Sequence, residues 1–297
     1  MNDLPVGVGD VEVQRRFISS HENFLREFPE LKSLTEEMFK MSIEGYNAQF
    51  QTDEVESAEE FTKRLAQIIV FYLGRTTFDA FGDLLILAGN GRGFAARMML
   101  RVMYEHLITA AFIAYNPPEA KQFSEHASIQ KGKVLNRSMK IIPNIKNTLG
   151  DDTIRKVQEQ FQQARSQLKN ETCKKCGQPV TQEAWTRVSV DTMAEKVDAA
   201  TGSTFAKLYA TCYLVPTAFI HPTALGLEVR AGLNSGDIIY RELSENEAHD
   251  AVMRGHGLVL RLLKHQNGFF NLKLNHQLAQ RWNVFPAIWG GASPDPA

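Results

Sequence analysis

The chain has 297 residues, 43% of them hydrophobic and 23% charged, with a net charge of −1. That length is enough for one large core or two modest ones, and the balance gives no global electrostatic pull on nucleic acid or an anionic membrane, while leaving room for a local basic cleft. Three cysteines make no disulfide framework, the N-terminus lacks a basic-then-apolar leader, and the longest apolar runs (FIAY, CYLVPTAFI) fall short of the roughly 18 residues a bilayer requires, so a soluble cytoplasmic protein with no membrane association is expected.

Taken in order, residues 1–54 read as an N-terminal helical extension, with Phe17, Phe24, Leu25 and Phe28 at helical spacings before Pro29, and Leu31, Leu34, Met38, Phe39 and Met41 after it. Ser57 followed by Glu60 forms a capping box. It opens a long apolar helix, FTKRLAQIIVFYLGRTTFDAFGDLLILAG, with Gly74 and Gly82 as its weak points. The turn Gly89-Asn90-Gly91-Arg92-Gly93 invites a phosphate-binding reading. Such a site needs a strand before the glycines, however, and here the preceding segment has a helical period. A tight helix–helix turn, using glycine for positive φ and close packing, is the expected outcome.

The helix that follows, GFAARMMLRVMYEHLITAAFIAY, is apolar nearly all round, as a core helix is. Asn116-Pro117-Pro118 breaks it and starts another. The next helix, DDTIRKVQEQFQQARSQLKN, carries a narrow stripe of Ile154, Val157, Phe161, Ala164 and Leu168, suited to a single neighbour and hence to one limb of a hairpin arm. The arm is expected near 140–185, with Cys173 and Cys176 at its tip. A buried helix containing Pro216 follows, then a helix capped by Ser244 with Glu247 and running to about Gln266, then a tail over 271–297. Every long segment reads helical. The expected fold class is therefore all-α, a helical bundle over 55–270 with a projecting helical hairpin arm.

Chemistry concentrates on the apolar helix after the glycines. Arg97, Arg101 and Glu105 recur every four residues and share one face. Charges on a buried helix are either paired structurally or line a cleft, and the spacing leaves both readings open. Arg101 and His106 form R-x-x-x-x-H, although five residues on a regular helix place them about 140° apart. His221, at the end of the Pro216 helix, is either a C-terminal cap or a partner for Glu105 or Arg101, in which case it is an acid–base candidate. His126, Arg97 and Tyr213 are candidates to line the same cleft and bind substrate. Cys173 and Cys176 make C-x-x-C-G, half of a zinc knuckle. The missing second pair leaves three readings: a complete zinc site within the chain, two reduced thiols in a loop, or a structural zinc shared between two chains.

Arg101, Glu105, Asn116, Pro117, Ala120, Phe123, Trp185, Tyr209, Tyr213, His221 and Pro222, spread over Phe61 to Gln266, resemble a bacterial family of helical proteins of unknown function, itself similar to HEPN-like helical bundles. That resemblance implies either a metal-independent endoribonuclease, usually cutting across a dimer and needing no cofactor for catalysis, or a degraded, non-catalytic relative, in phage defence or a toxin–antitoxin system. Arg101 would stabilise phosphate, His106 or His221 would act as acid or base, Glu105 would orient the histidine, and RNA and a second copy would be the partners. The other expectation is a non-catalytic helical interaction or scaffold protein that dimerises or binds a protein partner through the arm.

Overall fold

The computed structural model describes residues 40, 57–167, 171–172, 179–180, 184–231 and 244–289. The expected N-terminal extension, apart from Lys40, and the Cys173–Cys176 tip lie outside them. The elements in order are α1 (Ala58–Gly89), α2 (Gly93–Tyr115), α3 (Glu119–Ile141), α4 (Ile145–Leu149), α5 (Asp151–Gln167), β1 (Glu171–Thr172), β2 (Pro179–Val180), α6 (Val190–Thr201), α7 (Phe205–Tyr209), a π-helical turn (Ala210–Leu214), α8 (Val215–Ile220), α9 (Ala224–Ala231), α10 (Glu245–Phe270) and α11 (Asn275–Ile288). The fold is all-α. Among the described residues its strand content is one antiparallel pairing, Glu171 opposite Val180 and Thr172 opposite Pro179. No helix among them is long and apolar enough to cross a membrane.

Local chemistry explains the start of α1 and the widening before Pro216. The capping box that opens α1 is reciprocal: the Ser57 N–H donates to Glu60 Oε2 at 3.0 Å and the Glu60 N–H to Ser57 Oγ at 3.2 Å. The helix then runs 32 residues without a break at Gly74 or Gly82. Burial of Ala66, Val70, Phe78, Phe81 and Leu84 outweighs the roughly 1 kcal/mol that each mid-helix glycine costs. At Pro216 the effect of proline is visible one turn earlier. Pro216 has no N–H to offer the Cys212 carbonyl and its ring would crowd it, and the chain widens into the π-helical turn over Ala210–Leu214 before resuming as α8.

The chain separates into two compact units. The described parts of the first are Val70–Phe112 and the residues from Val190 onward. Its centre is α2, where Leu100, Met103, Tyr104, Leu107 and Ile108 are fully buried, together with Val252, Leu258, Leu262 and Leu263 of α10. Gly255 lets α10 lie close over Phe81 and Leu84 of α1. The tail expected from residue 271 opens into a packed helix. Asn267 holds the α10–α11 corner, donating to Asn275 Oδ1 at 2.6 Å and accepting from the Leu274 N–H at 2.8 Å, and Phe285 and Trp289 are buried.

The described residues of the second unit fall within Glu54–Ile69 and Ile113–Ser189. In it α3 packs beside α5 through Ile129, Phe161 and Ala164, with Gly132 directly against the Phe161 ring. Ile154 is also buried, so Ile154, Phe161 and Ala164 of the stripe read from the sequence lie on the packing face of α5, while Leu168 lies outside the described residues. Its partner limb is α3, which makes the helix pair start at Glu119.

Candidate functional site

The glycine turn comes first because it sets the start of α2. Gly91 adopts φ +69°, the left-handed region that favours glycine. A Cβ on Gly93 would lie 2.3 Å from the Ser244 carbonyl oxygen and 2.5 Å from the Ala248 nitrogen. The Ser244 N–H donates to the Gly91 carbonyl at 3.1 Å. These glycines bring α2 against the first turn of α10, and the segment before them is helical, so the βαβ setting of a dinucleotide site is absent.

The capping sequence of α10 works differently from that of α1. Ser244 Oγ accepts the Glu247 N–H at 3.3 Å, but the Glu247 carboxylate does not return to the cap. It pairs with Arg97, which also reaches Asp250 Oδ2 at 2.7 Å, and Arg254 holds the same Asp250 at 2.9 Å. Two arginines and two carboxylates, all about four-fifths buried, thus clasp α2 to α10. This is where Arg97 goes: its fork is engaged by carboxylates. Replacing Arg97 with methionine leaves two half-buried carboxylates to a single cation and should cost about 2 kcal/mol, read as a lower urea midpoint at pH 7.

One turn further along α2, Arg101 has a different environment. Its Nε lies 3.8 Å from Glu105 Oε2, beyond hydrogen-bond range. No N–H of its guanidinium makes a hydrogen bond to a described residue, and its side chain is 21% exposed. An aromatic face supports it: its Cζ sits 4.9 Å from the Tyr213 ring centroid. Tyr213 in turn stacks on Tyr209 at 5.2 Å and 18°, and Tyr104 packs obliquely against both. The stack exists because the two tyrosines are four residues apart along the widened turn before Pro216. Tyr104 is anchored from beneath, its hydroxyl donating to the Phe205 carbonyl at 2.9 Å, and burial raises its pKa. Asp198 fixes the start of α7 by accepting from the Phe205 and Ala206 N–H groups, both at 2.8 Å. Burial, followed by the nearby Asp191, raises the Tyr209 pKa, while Arg101 opposes the shift.

The histidines fall in separate places. His106 is half-buried on α2, five residues after Arg101, and its Nδ1 is buried with no hydrogen-bond partner among the described residues. Burial lowers its pKa below the usual 6.5, against a smaller opposing effect of Glu105, which keeps the ring neutral at pH 7. His221 is exposed in extended backbone at the end of α8, its N–H donating to the Thr217 carbonyl. Among the described residues no hydrogen bond or ion pair links its side chain to Arg101 or Glu105. His126 is buried on α3, in the second unit. Cys212 is fully buried, its thiol pushed up to about 11 by desolvation, which makes it an inert core residue. Cys173 and Cys176 lie between β1 and β2, outside the described residues. No group of three potential metal ligands occurs among the described residues.

Sequence reasoning put Arg101 and Glu105 on one helix face and named Tyr213 as a candidate substrate-binding residue. It missed the Glu247–Asp250–Arg254 clasp, because a capping-box glutamate reads as local, and it noticed Tyr209 without its stack. The i, i+4 tyrosine spacing was the available signal.

These features define an all-α protein with a half-open arginine on an otherwise buried helix, supported by stacked tyrosines. Residues 67–249, more than half of the chain, match the family of unknown function DUF5677, and the chain belongs to that family. No curated protein and no solved structure matches it.

Proposed function

We propose that the Arg101 site is the phosphate-binding centre of a HEPN-like, metal-independent endoribonuclease. The observation that carries the reading is the guanidinium of Arg101: partly solvent-reachable, oriented by Tyr213, and with its N–H groups uncommitted. That is the state in which arginine is best able to receive the oxygens of a phosphate. His106 supplies the base. Neutral at pH 7, it takes the proton of a ribose 2′-hydroxyl, and the 2′ oxygen attacks the adjacent phosphorus. The P–O5′ bond breaks, water protonates the departing 5′ oxygen, and a 2′,3′-cyclic phosphate remains. Arg101 stabilises the charge on the pentavalent phosphorus, and Glu105 biases the orientation of the His106 ring.

The test is cleavage of single-stranded RNA with EDTA present. Arg101→Ala should lose at least about 100-fold in kcat/KM, with Arg101→Lys recovering part of it and thermal melts confirming that both fold. His106→Ala should lose a comparable factor. The neutral ring is the active form, so activity should hold above pH 6.5 and fall as the ring is protonated at lower pH. Wild-type protein that leaves RNA intact, or an Arg101→Ala variant as active as wild type, would sink the proposal.

The second reading, a non-catalytic interaction protein, draws on exposed aliphatic side chains of the α3–α4 segment, among them Val134, Ile141 and Ile142. It gains support only if the cleavage assay is negative.

A further inference from the structure

Between Glu125 and Asp151 there is no acidic residue, while Lys131, Lys133, Arg137, Lys140 and Lys146 contribute five positive charges in a chain whose net charge is −1. All five are exposed on α3 and α4. None makes an ion pair or a side-chain hydrogen bond with any described residue, although the exposed cations Arg75, Lys121 and Arg155 pair with carboxylates within their own helices. The buried side of α3 is fixed by Ile129, Gly132 and Leu135, so Arg137 projects well away from it and Lys133 and Lys140 flank it on the same edge as Arg137, while Lys131 lies on the other flank.

We infer that this cationic face of α3–α4 binds the sugar–phosphate backbone of RNA. The inference deepens the ribonuclease reading by naming a substrate-docking surface, and in that sense rests on it.

Three features of the segment select this occupant. A second copy of the same face is excluded by charge, since it would set Lys133, Arg137 and Lys140 against the same three cations. Along α3 the exposed aliphatics are interrupted, and Ile142 extends them only past the end of the helix. Val134 and Ile141 are two turns apart with Arg137 and Ser138 between them, and Lys133 and Lys140 beside them, so the face lacks the dehydrated centre that a protein interface needs. No aromatic residue occurs between Phe123 and Phe161. Bases therefore have nothing to stack on here, and recognition reduces to phosphate contacts, independent of base sequence and strongly salt-dependent.

The experiment measures binding separately from cleavage, by fluorescence anisotropy with poly(U) RNA on full-length Arg101→Ala protein, across a salt series. The comparison is with the same protein carrying Lys133→Glu, Arg137→Glu and Lys140→Glu, whose exposed positions leave the core untouched; equal thermal melts confirm this. Charge reversal should weaken binding at least tenfold and flatten the slope of log K against log salt by about 2, corresponding to three lost single-strand phosphate contacts. A Val134→Ser/Ile141→Ser variant should bind as its parent does.

Unchanged affinity after charge reversal would overturn the inference. So would loss of binding in the serine variant alone, or capture by vesicles containing phosphatidylserine without capture of RNA. The two proposals fail separately. RNA held by this face but never cleaved by wild type leaves docking standing and removes the nuclease. RNA cleaved at an undiminished rate by protein that carries the three charge reversals but keeps Arg101 does the opposite.

Discussion

Replacing Gly93 with alanine should lower the stability of the protein by about 3 kcal/mol, an effect far larger than one methyl group ordinarily produces. The new Cβ would meet the Ser244 carbonyl oxygen at 2.3 Å and the Ala248 nitrogen at 2.5 Å. Both are backbone atoms of the α10 N-terminus, so no rotamer change can relieve the clash, and α2 and α10 must separate. That separation would stretch the hydrogen bond from Ser244 to Gly91 and loosen the clasp of Arg97 on Glu247 and Asp250 one turn away. Gly82→Ala is the matched control. A Cβ there meets nothing within 4 Å, and the position is inside α1, so the substitution should stabilise by up to about 1 kcal/mol. Urea unfolding reads both, and the two midpoints should move in opposite directions. A Gly93→Ala midpoint equal to that of wild type would mean that the α2–α10 junction yields more readily than its backbone contact indicates.

The glycines show what kind of information the sequence holds. Helical period, capping residues and the absence of a preceding strand are local properties. They were enough to predict an all-α fold, a packing turn at Gly89–Gly93 and the contact face of α5. The partners of Arg97 were not legible, because they lie some 150 positions away on a helix whose own start signal, Ser244 with Glu247, suggested that the glutamate was already occupied. The same limit governs the candidate site. Arg101 and Glu105 declare themselves by four-residue spacing, and Tyr213 by its place in a recurrent pattern. That the arginine rests on a ring, and that the ring is backed by Tyr209, depends on the π-helical turn before Pro216. Proline predicts a disturbance in a helix; it does not predict which side chains the disturbance will align. His221 illustrates the converse. Its position after an apolar helix suggested convergence on Glu105, yet α8 ends one residue earlier and the chain turns into extended backbone, leaving the side chain exposed.

Mild acid should unfold this protein, and two histidines away from the candidate site set the range. His256 is completely buried on α10 against Phe81 and Trp289, at ring distances of 5.1 and 5.7 Å, and burial pushes its pKa down to about 3 despite a hydrogen bond to the Val252 backbone. His265, two and a half turns on, is pushed down to about 4 by burial, with its Nε2 unpartnered among the described residues. In the unfolded chain both return to about 6.5. Below that pH the unfolded chain takes up two protons that the folded one refuses, so stability is complete above pH 6.5 and falls as pH decreases toward 4 and then 3. Well below pH 6.5 each histidine costs about 1.4 kcal/mol per pH unit, which for the pair comes to about 3 kcal/mol between pH 6.5 and 5. That is a large share of the 5–15 kcal/mol typical of a folded domain. Urea unfolding at pH 7.5, 6 and 5 should therefore give a steeply declining free energy. A His256→Phe/His265→Gln double variant should lose most of that decline, and stability in wild type unchanged from pH 7.5 to 5 would show that the two rings are protonated without unfolding. The ribonuclease reading predicts an acid limb from His106 in the same direction, so activity must be followed in the double variant as well. There, global unfolding no longer masks the titration, and a decline below pH 6.5 that persists belongs to the site.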